Sequence, residues 1–248
     1  MGAMGYGYGS ECHLLRWMGR HRRAFDAAVC AVLNKADGPI DWLDLQFKPN
    51  NPWPDKELKG LEFIDDVGVR KYWASCWPTS GNNQNWDAVG WWGEPAGKQP
   101  VLVEAKANLP EIYSDCKAKS QTSCTQIEKR LREAAAKLGV VDVSNWKNRN
   151  YQLANRLAVL HILHERGYHA HLLLLYFVGD RQFPSRPAPS TVGDWAQPLT
   201  TQKTEMGLPA NHALSPFIHE LFLHVCEQQA WSRPDAASRI DLSAGRAE

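Results

Sequence analysis

The sequence predicts an α/β domain with a central mixed β-sheet flanked by helices, and three observations predict it. Residues 85–108, NWDAVGWWGEPAGKQPVLVEAKAN, read as two short strands joined by a turn. Residues 169–178, HAHLLLLYFV, form a continuous apolar strand, as in a sheet covered on both faces. Between and before them, apolar residues recur at helical spacing.

Residues 10–33 read as the first helix. Ser10 is its N-cap, and Leu14, Met18, His21, Phe25, Ala28 and Val32 form one stripe. Glu11 points along that stripe, where a carboxylate is costly without a partner. Residues 34–60 carry Pro39, Pro49, Pro52 and Pro54 and read as loop. Residues 61–69 read as a strand interrupted by Asp65 and Asp66. The hairpin follows, with strands at 86–92 and 101–107. Alternation sets Val101, Val103, Ala105 and Ala107 on one face and Leu102, Glu104 and Lys106 on the other.

Residues 108–124 read as a polar loop, 126–138 as an amphipathic helix stopped by Gly139, and 145–150 as a connector. Residues 151–166 read as a helix that is apolar over most of its surface, hence buried on more than one side. Residues 179–210 are a Pro-, Ser- and Thr-rich surface excursion, and 216–226 a short helix. The organisation is a flexible glycine-rich segment at 1–9, a single domain at 10–228 (core 10–178, additions 179–228) and a flexible tail at 229–248.

Composition restricts the function classes. The chain has 248 residues, with 44% hydrophobic and 22% charged, ordinary values for a soluble globular protein. A net charge of +1 gives no global argument for nucleic acid, so any such contact needs local basic patches. Residues 115–150 are locally basic through Lys117, Lys119, Lys129, Arg130 and their neighbours, diluted by Asp115, Glu128 and Glu133. The six cysteines form no CxxC pair or framework, which with the absence of an apolar leader points to a reduced, cytoplasmic setting. No apolar run reaches the roughly 20 residues needed to span a bilayer. His161, His164, His169 and His171 read as core or interface histidines, since neither cysteine ligands nor HExxH accompanies them. Phosphate-loop, dinucleotide and GxSxG motifs are absent.

The hairpin carries the chemistry. Pairing Trp92 with Val101 sets Asp87 opposite Lys106 and diagonal to Glu104; shifting by one pair sets it opposite Glu104. Cross-strand neighbours lie roughly 5–8 Å apart at Cβ, within reach of one ion. Two carboxylates holding a hard divalent cation, with a lysine beside them, can activate water and neutralise a phosphodiester. Asp87 and Glu104 are the candidate ligands, with the Ala105 carbonyl as a further oxygen and Lys106 orienting the nucleophile. An exposed ladder of Asp, Glu and Lys is the plain alternative.

This arrangement resembles the PD-(D/E)xK nuclease superfamily, the restriction-endonuclease-like fold, over residues 10–178. Asp87 and Glu104-Ala105-Lys106 match its motif, with Trp86 in place of the usual proline. The resemblance implies that Glu11 helps to hold the metal and that Gln152 supports the site, although position 156 is Arg where the Gln-xxx-Tyr-like pattern has Tyr. It implies a magnesium-dependent nuclease, with manganese as substitute, acting on DNA rather than RNA. The alternative is a catalytically inactive module of the same fold that binds nucleic acid or protein. Strand preference, endo or exo action and oligomeric state stay open, a homodimer included.

Overall fold

The computed structural model describes residues 7–34, 40–50, 55–78, 84–93 and 97–225. The predicted tail at 229–248 and most of the predicted segment 1–9 lie outside them. Gly9 is held in place, because its N–H donates to Asp180 at 3.0 Å.

The chain is a mixed α/β structure. Helices α1 (Ser10–Arg20) and α2 (Arg22–Val32) precede strands β1 (Asp41–Trp42) and β2 (Leu58–Lys59) and helix α3 (Val67–Cys76). Strands β3 (Asn85–Trp86), β4 (Ala88–Trp92) and β5 (Gln99–Lys106) follow. Then come α4 (Gln121–Lys137), α5 (Ser144–Lys147), α6 (Tyr151–Glu165), β6 (His171–Val178), α7 (Gly193–Glu205) and β7 (Ile218–His224). Five strands form one sheet in the order β1-β4-β5-β6-β7, while β2 and β3 pair separately. The β1/β4 and β4/β5 pairs are antiparallel, and β5/β6 and β6/β7 are parallel.

Side-chain alternation along β5 and β6 gives the sheet two covered faces. Val101, Val103, Ala105, Leu173, Leu175 and Phe177 pack with Leu14, Met18, Phe25 and Ala28 of α1 and α2. Leu102, Leu172, Leu174 and Tyr176 pack with Ile127, Leu131, Leu157, Leu160 and Trp195 of α4, α6 and α7. Glu104 and Lys106 therefore belong to the α6 face, as their alternation with Leu102 predicts. β6 is buried along its whole length, and so is most of α6.

Several boundaries differ from the sequence expectation. The first helix is broken at His21 (φ −116°, ψ 28°), and the Arg22 side chain takes the Met18 carbonyl at 2.7 Å. Residues 61–69 are no strand. They turn and then start α3, where the Asp66 carboxylate accepts the N–H groups of Gly68 and Val69 at 2.7 and 3.1 Å. Helix α4 starts five residues before the expected 126, where Ser120 caps it by accepting from Ser123 N–H at 3.1 Å. The 145–150 connector contains α5, anchored by Trp146, whose indole donates to Met206 O at 2.8 Å. The excursion at 179–210 holds α7, fixed by Trp195 donating to Phe177 O at 3.0 Å.

The largest correction is at 216–226, expected as a helix. A short 3-10 turn, Ser215–Phe217, leads into β7, which runs parallel to β6. Leu221 and Leu223 face the α1/α2 core, and Ile218 and Phe222 face the other. A strand covered on two faces and a short buried helix give the same apolar run, and pairing with β6 decides the outcome. Among the described residues, no helix is long and apolar enough to cross a membrane.

Candidate functional site

The site is built where β4 meets the end of β5. The β4/β5 register pairs Trp92 with Gln99 and Ala88 with Val103. Continued one step, it sets Asp87 opposite Glu104, the second of the two registers the sequence allows. Asp87 itself sits in the break between β3 and β4, where its N–H still donates to Val103 O at 3.2 Å. Its carboxylate replaces a strand partner by accepting the Ala105 N–H at 2.6 Å. In a strand the carbonyl of a residue leaves on the same side as its N–H, so the Ala105 carbonyl also faces Asp87.

Glu104 is only 4% exposed. Arg156 Nε donates to its Oε2 at 2.6 Å, while Lys106 and the Gln152 amide both bind its Oε1. Gln152 Oε1 accepts in turn from Lys106 Nζ at 2.9 Å. Helical spacing places Gln152 and Arg156, four residues apart, on one face of α6. The Arg156 guanidinium also lies 4.6 Å from the Trp86 ring centroid and donates to Asn85 O.

The two carboxylates are tuned in opposite directions. Burial, then the neighbouring Glu104 charge, pushes Asp87 up to about 7, against Lys106, the Ala105 hydrogen bond and Arg156. Burial also pushes Glu104 upward, but the charges of Arg156 and Lys106 outweigh it and hold its carboxyl below the usual range.

Asp87, Gln152 and Arg156 line an open cleft of about 680 Å³ with Gln84, Asn85, Tyr151 and Asn155, and with Lys117 and Lys119 from the loop before α4. Glu104 and Lys106 line a separate cavity of about 20 Å³ behind Gln152, enough for one water. The chain matches no family model, no curated protein and no solved structure. What the site does must therefore come from its own geometry.

The structure thus brings together Asp87, Glu104, Ala105, Lys106 and Gln152. It does not bring Glu11 to them: Glu11 is half-buried in the first turn of α1, which packs on the opposite face of the sheet. Among the described residues no three Asp, Glu, His or Cys side chains converge as a metal-binding group. Asp87, Glu104 and the Ala105 carbonyl still fit a hard cation in donor type. Magnesium keeps several waters and takes one or two protein carboxylates beside substrate phosphates. Asp87, its carboxyl pushed up first by burial and then by the neighbouring Glu104 charge, forms with Glu104 a pair that a divalent cation would relieve.

Arg156 is the main partner of Glu104. Its signal in the sequence is a cation four residues after Gln152 within an apolar helix.

Proposed function

We propose that this chain is a divalent-metal-dependent nuclease hydrolysing phosphodiester bonds. The observation that carries the reading is Asp87 bonded to the Ala105 N–H between Glu104 and Lys106, on the wall of a cleft bordered by lysines. Asp87, Glu104 and the Ala105 carbonyl would hold magnesium or manganese, which when bound supplies charge neutralisation and water activation. Lys106, fixed by Gln152, would orient the attacking water and steady the charge that develops on the phosphate. Lys117 and Lys119 would track the backbone of the strand. DNA ahead of RNA follows from the resemblance alone.

One observation favours a second reading, a catalytically silent module that binds nucleic acid or protein. Glu104 is already engaged by Arg156, Lys106 and Gln152 and lies behind the cleft wall.

The deciding experiment incubates the protein with plasmid, linear and single-stranded DNA and with RNA in Mn²⁺, beside Lys106→Ala. Cleavage that this variant lacks supports the nuclease. Equal cleavage by the variant points to another site or to contamination. Calorimetry complements it: no heat with Mg²⁺ or Mn²⁺, and no difference in Asp87→Ala, sinks the metal site. Nucleic-acid binding at low salt without cleavage would favour the second reading.

A further inference from the structure

Three amide side chains on the cleft wall hold polar atoms that nothing in the described protein satisfies. Gln84 is 7% and Asn155 6% exposed. Both side-chain atoms of Gln84, Oδ1 of Asn155 and Oδ1 of Asn85 are buried and lack a hydrogen-bond partner among the described residues. All three residues line the cleft that Asp87, Gln152 and Arg156 also line. The Asn85 amide nitrogen donates to Glu57 at 2.7 Å, so there and at Asn155 it is the oxygen that lacks a partner, while Gln84 lacks both. Unpartnered buried polar atoms are costly, and three such residues along one cleft beside a candidate reactive centre are where a polar ligand would gain hydrogen bonds.

The atom types define that ligand. Three of the four unpartnered atoms are acceptor oxygens and one is a donor, Gln84 Nε2. Acceptor oxygens repel phosphate and attract N–H groups. An exocyclic amine beside a ring nitrogen offers the donor and acceptor pair that an amide side chain binds bidentately. Thymine and uracil carry no exocyclic amine, and on guanine's Watson–Crick edge the amine lies beside N1–H, a second donor rather than an acceptor.

Resting on the nuclease reading, we infer that the cleft takes an unpaired, amino-bearing base, adenine or cytosine, from the nucleotide next to the scissile phosphate. A base within a duplex cannot reach such a pocket without leaving its stack, so the substrate is single-stranded or unpaired at that position. Gln84, Asn85 and Asn155 read the base, while Lys117 and Lys119 at the cleft hold the backbone.

The test is fluorescence anisotropy without divalent cation. Labelled strands of about 12 nucleotides, oligo-dA, oligo-dC, oligo-dT and an abasic strand, are compared with a blunt duplex. Oligo-dA or oligo-dC is expected to bind at least about tenfold tighter than oligo-dT and the abasic strand. Gln84→Met removes both unpartnered atoms at nearly constant size. It is expected to collapse that preference without lowering Tm, because no protein hydrogen bond is lost. Asn155→Ala provides an independent second variant.

Equal binding of the base-bearing and abasic strands overturns the inference, while metal-dependent cleavage lost in Lys106→Ala would leave the nuclease reading standing. A Gln84→Met protein with a lowered Tm and an intact base preference also overturns it, by giving Gln84 a structural role. Failure of every single strand to bind also overturns it, and the nuclease reading then stands or falls on the cleavage assay with Lys106→Ala.

Discussion

Arg156 and Glu104 form an ion pair in the interior, with Nε 2.6 Å from Oε2 and both side chains 5% exposed. Burial alone would push Glu104 upward, and Arg156 is the largest influence opposing it. Arg156→Met strips that counter-charge and leaves a buried carboxylate under-compensated, so stability should fall by roughly 3–5 kcal/mol. Adding Glu104→Leu should restore most of the loss, because the pair then disappears as a unit. Urea unfolding of the two single variants and the double variant measures both effects. If Arg156→Met unfolds at the wild-type midpoint, something other than Arg156 balances Glu104.

Gln152 is a positioning residue. It accepts from Lys106 Nζ at 2.9 Å, donates to Glu104 and is held by its own N–H donating to Ser114 Oγ at 2.9 Å. Gln152→Leu frees the lysine without touching Asp87. On the nuclease reading kcat should fall about 10–100-fold, the usual cost of losing an outer partner at a metal site. KM for DNA should change by less than about twofold, since the lost interaction orients rather than binds. An unchanged kcat would show that Glu104 holds Lys106 in place without Gln152.

Alternation in VLVEAKA was enough to place Glu104 and Lys106 on the face opposite Val103 and Ala105, and β6 was legible from its unbroken apolar run. Asp87 is legible as a neighbour of Glu104, but the sequence allows two registers. Residues 94–96 and 97–98 between the strands carry no two-residue hairpin signature that would select one. β7 reads as a helix because its apolar residues Ile218, Leu221, Phe222 and Leu223 are shared between both faces, which leaves no strict alternation to mark a strand. Arg156 reads from sequence as a weaker supporting candidate than Gln152, standing where the pattern has Tyr. Its value depends on an ion pair spanning 52 residues of chain, and no local spacing announces that. Gln84 and Asn155 were unreadable as a pair, because one precedes β3 and the other lies on α6.

Gly90 lies at a close approach of side chains from the edge of the sheet. It pairs with Trp42 on one side and Val101 on the other. A Cβ there would meet Ile40 Cγ2 at 2.6 Å and Trp42 Cε3 at 2.9 Å. Trp42 is itself buried against Phe25, with ring centroids 5.4 Å apart, so it has little room to yield. Gly90→Ala should therefore destabilise by roughly 1–3 kcal/mol through overpacking. For a chain of this size that lowers Tm by about 2–4 °C per kcal/mol. Ile40→Ala in the same protein should recover part of the loss by vacating the closest contact. A melting curve that Gly90→Ala leaves in place would show that β1 can move away from β4.

Asp44 should make the fold less stable as the solution becomes more basic. It is fully buried, with Oδ1 accepting Val89 N–H at 3.2 Å and Oδ2 without a partner among the described residues. Burial pushes its carboxyl from 3.8 up to about 7; the Val89 hydrogen bond and Arg22 oppose the rise, and Asp55 adds to it. The folded protein thus keeps this proton over a range in which the unfolded chain has released it. Stability from this group is fully present below 3.8, declines as pH rises, and is gone once pH passes about 7. A shift of this size corresponds to at most about 4 kcal/mol. Asp44→Asn keeps the shape and cannot ionise. Its stability relative to wild type should rise from pH 5 to pH 8, and the difference isolates Asp44 from Asp87, which titrates near the same pH. Urea midpoints of both proteins across that range provide the measurement. Parallel curves would mean that Asp44 is already ionised in the folded protein at pH 5.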